Sequence, residues 1–109
     1  MNKISLDATA REQQKKAGSA SSGRAAETVY GGHEKVLRQT VIAMTDGTEL
    51  SEHENPGEAT VLVLSGRVKL SSADAAWEGR RGDLLAVPSA RHSLLALEDS
   101  SVLLTVVKL

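Results

Sequence analysis

The chain has 109 residues, enough to close one core and too few for two. Its 40% hydrophobic and 25% charged residues place it among globular chains, and a formal net charge of −1 without basic runs interleaved with aromatics lacks the footprint of a nucleic-acid binder. Zero cysteines exclude disulfides, thiolate metal sites and cysteine nucleophiles, and no apolar run approaches the roughly 20 residues of a membrane-spanning helix. A cytoplasmic protein without nucleic-acid or membrane partners is expected. With no Phe, one Trp and one Tyr, the core must be built from Val, Leu, Ile and Ala, which suits the narrow interior of a β-barrel or sandwich.

Residues 1–26 form an N-terminal helical and flexible segment, rich in Ala, Ser, Gln and Lys. Thr9 and Glu12 have the spacing of a capping box, Lys15 and Lys16 suit a helix C-terminus, and Gly18 is a stop, so a short helix is expected over 6–17. Its apolar stripe of Leu6, Ala10 and Ala17 is thin, and it either docks on the body or frays. Residues 19–23 read as a connector.

Residues 27–109 read as an all-β barrel of short strands separated by turn signals. Gly31-Gly32 separates a strand at 28–30 from one at 33–44, Asp46-Gly47 and Asn55-Pro56-Gly57 turn the chain again, and a strand over 48–53 lies between them. Further strands are expected over 59–64, 67–71, 75–78, 83–87, 92–97 and 101–108. Three of these, at 61–64, 84–87 and 102–107, show no polar alternation and should be buried on both faces. One face would line the barrel; the other needs a second sheet, the N-terminal segment or a second subunit as cover, and a homodimer is expected on that ground.

Two turn-plus-strand units carry histidines. His53 follows Gly47 by six residues in the first, and Pro88 follows Gly82 by six in the second, with His92 beyond it. Together with Gly66, these positions resemble the two signature blocks of the cupin superfamily, G(X)5HXH(X)3-4E(X)6G and G(X)5PXG(X)2H(X)3N, over 36–107. The resemblance implies a double-stranded β-helix, or jelly-roll barrel, here with a short N-terminal helix. It also implies a site in the barrel mouth, where metal-binding cupins hold a divalent cation such as zinc, iron, manganese or nickel with three His and one Glu.

Only the first of those ligands transfers cleanly, onto His53. The second histidine position is Asn55, a weak donor to transition metals. The glutamate position is Ala59, with Glu58 one place earlier, and the last histidine position is Ser93, with His92 one place earlier and Ala90 where a glycine would stand. In strict strand register a one-residue offset turns Glu58 and His92 away from His53; a tighter or bulged turn brings them back.

The residues therefore support a ligand pocket of His53, Asn55, Glu58 and His92, with His53, Glu58 and His92 as metal ligands. The function expected is binding of a small molecule, a divalent metal or both in the barrel mouth, with no catalytic residue identified. The alternatives are a metal-dependent enzyme of dioxygenase or isomerase type and a structural dimer with a vestigial pocket. His33 reads as a turn-exposed side chain, Trp77 as cover for an outer face or subunit contact, and Arg80 and Arg81 as solubilising charges that an anionic ligand at that edge would find. No serine has the partners of a nucleophile motif.

Overall fold

The computed structural model describes residues 2–53 and 57–108, with Glu52 and His53 described at the backbone. Helix α1 (Leu6–Ser19) is followed by β1 (Arg24–Tyr30), β2 (Leu37–Met44), β3 (Glu49–His53), β4 (Glu58–Ser65) and β5 (Arg67–Ser72). Then come β6 (Ala76–Arg80), β7 (Leu84–Ala86), β8 (His92–Ala96) and β9 (Ser100–Val107). They form two antiparallel sheets, one of five strands in the order β1-β2-β9-β4-β7 and one of four in the order β3-β8-β5-β6.

Alternation along the strands builds the interior. Ile42, Met44, Val61, Val63 and Val102 of the five-stranded sheet meet Val68, Leu70, Leu94 and Ala96 of the other in one buried cluster. Burying such an aliphatic side chain contributes about 1.5–3 kcal/mol, and this cluster holds the two sheets together. Residues of the opposite parity, Val41 of β2 and Leu103 of β9, pack with Ala10 of α1 on the outer face. The central strand β9 is thus covered on both faces at Val102 and Leu103, which accounts for the lack of polar alternation there. The cover on its outer face is the N-terminal helix.

Helix α1 is capped by Ser5, whose hydroxyl accepts the Ala8 N–H at 3.2 Å. The capping box expected at Thr9 is not used: Thr9 lies inside the helix, its hydroxyl bonded back to the Ser5 carbonyl at 3.0 Å. The helix also runs through Gly18 to Ser19. Its buried stripe includes a polar residue beside Ala10 and Ala17: Gln13, 2% exposed, donates from Nε2 to Glu27 Oε1 of β1 at 3.2 Å.

The other departures from expectation lie at edges. Strand β1 begins at Arg24, and residues 31–36 form a longer connection to β2 than a two-glycine turn, leaving His33 in an exposed loop. Strand β7 is not buried on both faces. It pairs with β4 alone at the sheet edge, and Leu84 is 65% exposed. The chain crosses between sheets at Gly66, whose φ of +79° suits glycine and whose missing side chain leaves room for the Asp99 carbonyl and Ser100. Among the described residues no helix is long and apolar enough to cross a membrane.

Candidate functional site

His92 opens β8, and the burial of that strand alternates: His92, Leu94 and Ala96 are buried, while Ser93 and Leu95 are less so. The imidazole faces the barrel interior and is 5% exposed. Its Nδ1 lies 3.0 Å from the Ala90 carbonyl oxygen, two residues back in the turn that precedes the strand. A carbonyl cannot donate, so a neutral ring in this position carries its hydrogen on Nδ1 and its lone pair on Nε2. A backbone carbonyl that sets tautomer and ring orientation in this way is a common outer-shell partner of functional histidines.

The cavity beside the ring has a volume of about 40 Å³ and aliphatic walls that include Leu50, Leu70, Val87, Leu94 and Leu104. That is little more than one water molecule's share of liquid, about 30 Å³. The barrel is a packed core that opens at one end, with His92 at the opening.

The strand register brings His53 to His92. Leu50 pairs with Leu94 and His53 with His92, so three steps along β3 match two along β8. The extra residue is a β-bulge, without which Glu52 would stand opposite His92. On the other side Ser72 of β5 pairs with His92, giving a cross-sheet row of Ser72, His92 and His53 at the mouth. The signature-block position, Ser93, points the other way.

Glu58 is not brought into this row. From Glu58 to Val63 the pairing of β4 with β9 is unbroken, so alternation is strict: Val61 and Val63 face the interior with Ala59, and Glu58 faces outward with Thr60 and Leu62. Glu58 is exposed and borders a wider groove with Thr60, Thr105 and Val107 that also reaches Val87, a wall of the cavity beside His92. The two one-residue offsets in the sequence thus resolve in opposite ways. The turn before β8 sets His92 inward; nothing shifts the register at Glu58. Asn55 lies outside the described residues. Among the described residues no three His, Asp or Glu side chains form a group that could hold a metal ion.

Trp77 occupies a place that the sequence did not suggest. It pairs with Leu70, which faces the interior, so Trp77 belongs to the inner face of β6 and not to an outer surface. Because β6 is an edge strand the ring remains 66% exposed, beside a small cavity of about 90 Å³ shared with Ser71, Ala86 and Pro88. Only the register of β5 with β6 reveals this, since position 77 alone has no face.

No protein-family model matches the sequence, and no curated protein matches it. Solved structures do. The chain is similar to a conserved Streptococcus pyogenes protein of unknown function, with 27% identity and a TM-score of 0.73 over 83% of this chain and 78% of that one. It is similar to an RmlC-like cupin from Desulfovibrio desulfuricans, with 27% identity and a TM-score of 0.67 over 77% of this chain and 81% of that one. A cupin superfamily protein from Desulfitobacterium hafniense, 19% identical, matches with a TM-score of 0.72 over 78% of this chain and 77% of that one. Two antiparallel sheets closed on an aliphatic core, with a histidine at the open end, and these structural likenesses agree: the chain has the cupin fold.

Proposed function

We propose that this chain is a binding module whose barrel mouth takes a small organic molecule over the row of Ser72, His92 and His53. The observation that carries the reading is His92: a buried ring held in one tautomer by the Ala90 carbonyl at the rim of an aliphatic cavity. Apolar walls with one oriented polar group are the usual means of small-molecule recognition. The cavity of about 40 Å³ is too small to enclose a ligand, so the body of the molecule rests at the mouth and a methyl-sized group enters.

A divalent cation belongs to this reading only as a weak component. Two histidine positions and the amide of Asn55 fall short of the three firm protein ligands that catalytic zinc sites use, and Glu58 faces away. The donor set does not fit a metal-dependent dioxygenase or isomerase.

The test is a thermal-shift and calorimetric screen of organic acids, sugars and phenolics on the wild type and on His92→Leu. A ligand specific to the folded state raises the unfolding midpoint of the wild type. His92→Leu should keep the fold, because leucine suits the aliphatic walls, and should lose the shift. Equal shifts in both proteins would overturn the reading.

A further inference from the structure

At the far end of β4 from Glu58, roughly 20 Å along the strand at about 3.3 Å per residue, the outer face of the five-stranded sheet carries a second concavity. This groove has a volume of about 330 Å³ and lies between α1 and the turn joining β6 to β7. Arg11 reaches it from the helix and Arg81 from the turn, with Ser65 and Ser101 between them and Ala10 and Leu64 as its apolar part.

Both arginines are set on rigid supports. Arg81 is at the tip of a tight turn in which the Asp83 N–H donates to the Arg80 carbonyl and the Arg80 N–H to Asp83 Oδ2, each at 2.8 Å. Gly82, with φ of +89°, allows this turn, and its N–H donates to the Val63 carbonyl at 2.8 Å while the Val63 N–H donates to the Asp83 carbonyl at 2.9 Å. The turn is therefore clamped to β4. On the other wall, the helix that carries Arg11 is fixed by the burial of Ala10 and Ala17 and by the Gln13 to Glu27 bond.

The electrostatics favour an anion. Among the described residues the ion pairs are Lys16 with Glu12 and Arg67 with Glu78, so Arg11 and Arg81 are not neutralised by one. Asp7, a turn before Arg11, is the acidic residue of the groove, and two arginines against one aspartate leave a formal charge of +1. Ser65 Oγ and Ser101 Oγ are 2.6 Å apart. One hydrogen joins them, and the other hydroxyl hydrogen remains to be donated.

We propose that this groove is a second binding site, distinct from the barrel mouth, for the phosphate of a small organic phosphate monoester. Two guanidinium forks and a hydroxyl line one groove from separate elements, a donor set that suits the three oxygens and double charge of a phosphate better than the two oxygens and single charge of a carboxylate. Ala10 and Leu64 would meet the organic part.

The experiment is calorimetric titration of the full chain with phenyl phosphate and with benzoate at one ionic strength, using wild type, Arg11→Gln, Arg81→Gln, His92→Leu and the neighbouring Arg80→Gln, with circular dichroism to check folding. Saturable binding of phenyl phosphate is expected, tighter than that of benzoate. Loss of a hydrogen bond to a charged group should weaken it roughly tenfold or more in Arg11→Gln and in Arg81→Gln, with Arg80→Gln and His92→Leu unchanged. The proposal is overturned by non-saturable binding, by benzoate binding as tightly, by an equal loss in Arg80→Gln, or by a loss in His92→Leu that Arg81→Gln does not share. The barrel-mouth reading does not depend on any of these outcomes except the last.

Discussion

On the inner face of the five-stranded sheet, Ile42, Met44, Val61, Val63 and Val102 meet large aliphatic side chains of a second sheet; on its outer face, Val41 and Leu103 meet Ala10 of a single helix. The inner contact is made by residues far apart in sequence, closes a barrel and leaves a cavity of only about 40 Å³. The outer one relies on Leu6 and two alanines, a cap at Ser5 and polar bonds from Gln13 to Glu27 and from Gln14 to the Met44 carbonyl, and leaves an open groove of about 330 Å³. Dense apolar packing carries stability and can hold only a small buried site. Thin packing contributes less and leaves room for a ligand beside it.

The comparison predicts unequal consequences for equal truncations. Leu70→Ala, inside the barrel at 3% exposure, should cost about 3 kcal/mol in urea unfolding, because neighbours on both sheets cannot collapse onto the void. Gln13→Ala should cost about 1 kcal/mol, since the exposed Glu27 can turn to water. Ser5→Ala should cost about 0.5 kcal/mol, and hydrogen exchange should show faster opening of α1 amides with little change in the β9 core. A helix variant that lowered barrel protection as much as Leu70→Ala does would dissolve the distinction and show that the outer contact is part of one cooperative core.

Most of the architecture was legible because it is written in local signals. The strands at 59–64, 67–71 and 101–108 were bounded by turn residues and appear within one residue as β4, β5 and β9. Gln13 was also within reach: it lies between Ala10 and Ala17 on the helical stripe, and only its polarity hid it. The helix starts at Leu6 as expected, where Leu6 packs against the sheet, so the cap falls to Ser5 directly before it and not to Thr9. Edges were harder to read. Leu84 and Leu85 look like a buried run, yet the exposure of Leu84 follows from the place of β7 at the end of the strand order.

The site was legible in its residue types and not in its geometry. His53, Asn55, Glu58 and His92 are close in kind to a cupin centre, and His92 and Glu58 each miss the expected position by one residue. The chain by itself determined the strands, their turns, the aliphatic core and the likeness to cupins, since alternation and turn chemistry act over a few neighbouring residues. Tertiary structure alone decided that His92 faces the cavity, that a bulge in β3 sets His53 across from it, that Glu58 faces outward and that Arg11 and Arg81 border one groove. The reason is that side chains in a strand alternate between faces, so one residue of register reverses a position, and register is set by a partner strand that lies dozens of residues away.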